Sequence, residues 1–415
     1  MLDMRHGFGR LRSARIGVRA AAAAALAISL LATAGCGSES SATEDQTADL
    51  SKLDTGSFPT RPQNPTAADP AKQARILEGL RLGNVLPLAS EIDPTLSRRS
   101  SGTNVFTGPN SFGDLIRIDH FADDTKGFIA GFATSARTSE DTYVGYTLTN
   151  AVMIFESEAA ASSAAPALAH SGFWLADNST TVDSVQSSQH PAAQIIWAPT
   201  EQRLASWYPT GRFVVFTMID QVENLMVNKA FDIASDPAPT ALADKAIDIT
   251  TDRLKHFHPT ALDQLAKLPL DPDGLLRLTL PRPAGDQTGD GFTGTLDQHG
   301  ALHTVGDPAR FRALFEKTGV DFFSYGAGIL VRTKDAASAQ TFLDTAFASR
   351  FQHRIEPPAG LSTAHCVKYH GPDEHAAPFS CYVAYGRYVA TMVSQQQQDV
   401  YQRISAQYAI LANNK

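Results

Sequence analysis

The segment DQTGDGFTGTLD, residues 286–297, carries the residue types and spacing of a calcium loop. Asp286, Thr288, Asp290, Gly291 and Asp297 fall at its first, third, fifth, sixth and twelfth positions. In such a loop alternating oxygen-bearing side chains converge on one hard cation, and the glycine permits the sharp turn. The segment follows LLRLTLPRPAG instead of a helix, and its last position holds Asp where the longer, bidentate Glu is usual. A polar, glycine-rich loop is therefore the competing reading.

A second group combines His353, His365, His370 and His375 with Cys366. Neutral imidazole and thiolate are good zinc ligands, but these spacings match no finger or helical metal pattern. The chain has no G-x-S-x-G elbow, no H-E-x-x-H and no P-loop. A noncatalytic protein with no cofactor is expected, and a hydrolase with a dispersed active site is the alternative. Trp197, Trp207, Tyr208, Phe322, Phe323 and Tyr325 lie near apolar runs, where core packing is their ordinary role. A concave apolar pocket between two halves of the molecule is the other use of such residues.

The third cysteine has a different setting. Arg5, Arg10, Arg12, Arg15 and Arg19 precede an apolar run from Ala20 to Ala34, the order of a secretory signal. The run is shorter than the roughly 20 residues a spanning helix needs. Ala34-Gly35-Cys36 resembles the bacterial lipobox, with Thr33 departing from the usual aliphatic residue. Cys36 is thus expected to be lipidated, with a palmitate-type chain among its acyl groups, and to hold the mature chain on the outer face of the cytoplasmic membrane. Several acyl chains suffice for this, at about 0.8 kcal/mol per buried methylene.

Residues 1–35 hold five basic residues and one acidic one, so their removal moves the formal charge from -8 to -12. That charge disfavours nucleic acid as a partner, so none is expected, and it gives no attraction to anionic lipid. Cys366 and Cys381 remain as an even pair in an exported chain, for which a disulfide is expected. Two buried thiols or a metal site are the alternatives.

These residues need elements to position them. Residues 36–75 are rich in Ser, Thr, Asp, Pro and Gln and predict a disordered tether. Ile76, Leu77, Leu80 and Val85 begin an amphipathic helix that must stop before Pro87. Two segments then recur at nearly one offset: AVMIFESE at 151–158 with AGILVRTK at 327–334, and GRFVVFTM at 211–218 with GRYVATMV at 386–393. Each copy reads as a strand, an alanine-rich helix (Ala159 to Ala169, shortened or kinked at Pro166, and Ala336 to Phe347), a further strand (Gln194 to Ala198, and His365 to Tyr369), a hairpin with a Gly-Arg turn, and a closing helix. The fold class expected is α+β, with largely antiparallel sheets, packed helices and two similar domains from an internal duplication, at 76–260 and 261–415. The copies are expected to pack as a pseudo-symmetric pair.

The motifs LDTGSFPTRP (53–62), LEGLRLGNVLP (77–87), EIDP (91–94) and DPARFRALFEKTGVD (307–321) resemble a family of uncharacterised lipoproteins from mycolic-acid-bearing actinobacteria. The resemblance implies an envelope location and a two-part folded region, and it assigns no activity or catalytic residue. The expected function is a noncatalytic envelope lipoprotein that binds a small molecule, a lipid or an envelope protein. A purely structural or assembly role is a further alternative.

Overall fold

The computed structural model describes residues 48–414 apart from 101–104, 110–115, 118, 139–143, 178, 233–236, 287–290, 348–349 and 373–375. Its first long helix, α1 (Pro70–Gly83), starts where Asp69 caps it by accepting from Lys72 N at 3.0 Å and Pro70 fills the first turn. The helix ends at Gly83, short of the extended backbone that Pro87 imposes on its predecessor.

The strands of the first half are β1 (Arg98–Arg99), β2 (Val105–Phe106), β3 (Phe128–Arg137), β4 (Thr147–Phe155), β5 (Asp183–Val185), β6 (Gln194–Ala198), β7 (Arg203–Thr210) and β8 (Phe213–Asp220). Those of the second are β9 (Gly294–Asp297), β10 (Phe322–Tyr325), β11 (Ile329–Arg332), β12 (Gln352–Ile355), β13 (His365–Tyr369), β14 (Phe379–Tyr385) and β15 (Tyr388–Ser394). After α1 come α2 (Ala89–Ile92), α3 (Phe121–Asp124), α4 (Glu158–Ser171), α5 (Val222–Phe231), α6 (Thr240–Leu254), α7 (Leu262–Leu265), α8 (Gln298–Ala301), α9 (Pro308–Thr318), α10 (Ala336–Ala346) and α11 (Gln397–Ala412).

Both sheets are antiparallel. The first runs β1-β3-β4-β8-β7-β6-β5, with β2 also on β3, and the second, read from its other end, runs β9-β10-β11-β15-β14-β13-β12. The hairpins β7-β8 and β14-β15 turn at Gly211-Arg212 and Gly386-Arg387, with each glycine at positive φ as a two-residue hairpin turn favours. α4 runs through Pro166 for 14 residues, so the proline does not shorten it.

Central strands are covered on both faces, which explains why β4 is buried along nearly its whole length. Ala151, Met153 and Phe155 pack under α4, whereas Leu148 meets α6. In the second half Cys381 and Val383 pack against α11, and Tyr382 and Val389 face α9 and α10. One large core joins the halves: Leu77, Leu80, Phe132, Val152 and Val215 share it with Leu296, Phe315, Phe323, Phe342 and Leu343. The first half turns its α6 side to this core and the second its α10 side. Unlike faces therefore meet, and the pairing is not the symmetric one the repeat suggests.

The tether expected over 36–75 is not disordered along its described part. Leu50, Leu53 and Phe58 pack on the core beneath α11, Ala48 N donates to the Tyr408 hydroxyl at 3.1 Å, and Asn413 Nδ2 donates to Thr60 O at 2.8 Å. Gln398 and Gln402 of α11 donate to Asp54. A few apolar anchors and side-chain bonds to a preformed helix hold a segment whose composition supports no core of its own. Residues 48 onward belong to one compact unit, in which both expected domains take part.

α1 lies against β2, β3 and β9, so it touches both sheets. A Cβ added at Gly79 would come within 2.5 Å of Val105 Cγ2 and 3.0 Å of the Gly131 carbonyl oxygen. Gly79→Ala gains about 1 kcal/mol of intrinsic helix propensity. The overpacking, of about 1–3 kcal/mol, outweighs it because one neighbour is backbone. The expected outcome is a net loss in denaturant unfolding that Val105→Ala partly restores; a gain in stability refutes the close-packing account.

His303 is buried at this junction, where His303 Nε2 and His299 Nε2 approach the Leu86 carbonyl at 3.2 and 2.8 Å. Burial, reinforced by the neighbouring His299 and Arg99, pushes the His303 pKa down to about 3. The unfolded chain binds a proton here near 6.5 and the folded chain does not, so this contribution is intact above 6.5 and is lost as pH falls toward 3. Between pH 6.5 and 5 the loss is about 2 kcal/mol. His303→Asn is expected to flatten the slope of unfolding free energy against pH in this window, and an unchanged slope contradicts the assignment.

Candidate functional site

In each half a cleft opens at one place in the sheet path, where the helix after the third strand ends beside the last two strands. In the second half these are α10, β13 and β12. β13 is tied to β14 by the Cys366–Cys381 disulfide, whose residues sit directly opposite each other with Cα atoms 4.1 Å apart. The sulfurs point into the α11 core, so the other face of the same strands is free to form a site.

That face carries His365 opposite Tyr382, Val367 opposite Ser380, and Arg354 of β12 opposite Val367. Phe347, just past α10, stacks on Tyr382 with ring centroids 3.8 Å apart and planes inclined by 16°. Leu343, Phe347, Val367 and Tyr382 make the apolar wall of a cleft of about 380 Å³; Gln352, Arg354, His365 and Asp344 are its polar groups. The volume lies within the range of small-molecule sites. Asp344 Oδ1 accepts from Gln340 Nε2 at 2.8 Å. Burial pushes the Tyr382 pKa up, and its hydroxyl is 3.5 Å from Gln352 Nε2. Gln352 Oε1 is buried with no hydrogen-bond partner among the described residues.

The first half has two adjoining hollows of about 310 and 410 Å³ where α4 ends beside β6 and β5. They share Ala169, His170, Val182 and Ile196. In the strand registers Ser184 stands opposite Ile196 as Arg354 stands opposite Val367, and Gln194 opposite Trp207 as His365 opposite Tyr382. The same geometry thus holds different chemistry in the two halves.

The residues singled out in the sequence lie elsewhere, His365 and Cys366 excepted. Asp286 is buried against Arg403, with Oδ2 to Nη1 at 2.6 Å, and Arg403 Nε also meets Asp399 at 2.7 Å. Asp297 caps α8 by accepting from Gly300 N at 2.8 Å, and burial pushes its pKa up. Two acids of the calcium spacing are therefore committed to a guanidinium and a helix end; Thr288 and Asp290 lie outside the described residues. His353 packs edge-on against His370 with centroids 4.7 Å apart, and His375 lies outside the described residues. Cys366 is oxidised, and no group of three or more His, Cys, Asp or Glu among the described residues has the arrangement of a metal site. Cys36 lies outside the described residues.

Trp207 is buried beneath α4, Trp197 on the α6 side, and Phe323 and Tyr325 in the shared core; none of the six aromatic residues noted in the sequence lines either cleft. Sequence reasoning passed over Gln352 and Arg354. The signal was the strand QHRI, whose alternate residues are polar on a face that its neighbour fills with valine.

Among the described residues no helix is long and apolar enough to cross a membrane. No curated protein matches the chain. Among solved structures, the extracellular domain of PknH from Mycobacterium tuberculosis is similar at 14% identity and a TM-score of 0.29, over 42% of this chain and 96% of that one. The N-terminal part of the domain of unknown function DUF7373 matches residues 64–270, and its C-terminal part matches residues 275–414. With both parts present in order over most of its length, the chain belongs to the DUF7373 family.

Proposed function

We propose that this protein is an exported, lipid-anchored envelope protein that binds a ligand or protein partner and catalyses no reaction. We further propose that its two halves descend from one duplicated α+β unit. The observation that carries the binding role is the recurrence of a cleft at the same place in two sheets with the same strand path. Matching offsets of the Gly-Arg hairpins support the duplication. The heterologous packing of the halves, α6 side to α10 side, leaves the two clefts in different surroundings, so one is free to keep a role that the other has lost.

The anchor reading rests on the basic, apolar and lipobox-like segments that end at Cys36. From Cys36 to Ala48 the chain spans twelve residues, at most about 40 Å when extended. Ala48 is bonded to Tyr408 of α11, so the tether leaves the folded region beside α11.

Cys36→Ser is expected to move the protein from the membrane fraction to the soluble exported fraction, and retention on membranes after signal cleavage rejects the anchor. For the binding role, native mass spectrometry of the exported mature chain is expected to give a mass above the denatured mass. A native mass equal to the denatured one, together with no co-purifying protein, rejects it.

A further inference from the structure

Resting on the binding role just proposed, we infer that the C-terminal cleft takes a small organic carboxylate with an apolar body and a hydroxyl or amide hydrogen. Three independent features of the cleft specify those parts. The first is charge. Arg354 is exposed at the mouth, and among the described residues its guanidinium makes no ion pair or hydrogen bond. An unengaged guanidinium beside an apolar wall fits a carboxylate in a bidentate pair, the geometry in which arginine binds most strongly. His365 on the adjacent strand adds a ring nitrogen, and Asp344, the acid of the cleft, accepts from Gln340 through one oxygen and keeps its charge, which Arg354 balances.

The second feature is the Gln352 carbonyl oxygen, buried in the cleft wall without a donor. A buried oxygen without a donor is unfavourable; because Gln352 itself lines the cleft, a turn of its amide brings that oxygen to a ligand hydrogen, which supplies the missing donor. The third is the stacked pair Phe347 and Tyr382, which provides an apolar wall for a flat ligand body. In the first half Ser184 stands at the strand position of Arg354, and the guanidinium of that hollow, Arg117, lies outside the strands beside Asp119, so that hollow is not expected to share the preference.

The probe is para-hydroxybenzoate, compared with para-hydroxybenzamide, which lacks the anion, and benzoate, which lacks the donor. Ligand-observed NMR titration of the mature chain is expected to rank the first above each of the others by about tenfold in affinity. Arg354→Gln should abolish the preference over the amide and leave the preference over benzoate; Gln352→Leu should do the reverse. Because the Arg354 side chain is exposed and has no partner among the described residues, Arg354→Gln should unfold with the wild type, which keeps the test interpretable if Gln352→Leu is destabilised. Equal affinity for the three compounds, no binding of any, or preferences that survive in both variants overturn the inference. Native mass spectrometry separates the two levels: an excess mass retained by Arg354→Gln keeps the binding role and removes this ligand class, whereas no excess mass and no co-purifying protein with the wild type removes the role itself.

Discussion

The placement of α1 between two sheets is the constraint on which the rest of the molecule depends. Leu77, Leu80 and Leu82 can enter a core common to both halves only if the helix approaches β3 closely on one side and β9 on the other. Gly79 permits the first approach, against the Gly131 backbone, and Gly294 of β9 leaves room for Leu80 on the second. Each buried leucine contributes about 1.5–3 kcal/mol, so this helix joins what would otherwise be two separate sheets.

Polar groups at the same junction fix orientation. Glu78 of α1 is 1% exposed, yet it is fully engaged: Thr260 N and Oγ1 donate to its two oxygens at 2.7 Å each, and Arg81 Nη1 lies 2.6 Å away. This ties the segment after α6 back to α1. Glu91 accepts from Arg253 of α6 and Arg312 of α9, one from each half. These pairs are partly exposed and add little net stability, but the unlike faces of the halves require such directional contacts to set their angle.

Packing a sheet face on the neighbouring half also decides where clefts can form. The second half places α10 toward the shared core, and the helix ends before it covers β12 and β13. The disulfide ties β13 to β14, and both cysteines belong to the core on the α11 side, so the strand that carries Cys366 past the cleft is held in place. In the first half the corresponding helix, α4, lies on the side away from the shared core. The shape therefore recurs while its chemistry has drifted.

Much of the local structure was legible because it depends on neighbours in sequence. Asp69-Pro70 and Asp307-Pro308 start helices, the Gly-Arg pairs turn hairpins, and alternation marks β13 and β14, whose register sets Cys366 against Cys381. Other features depend on partners more than a hundred residues away. Asp286 has the spacing of a cation ligand, but a buried Arg403 claims it; residues 48–60 have the composition of a free tether, but α11 supplies the surface they lack. Composition and periodicity report what a segment can bury by itself. Which face meets which, and which polar atoms remain without a partner, is decided only when distant elements compete for the same space.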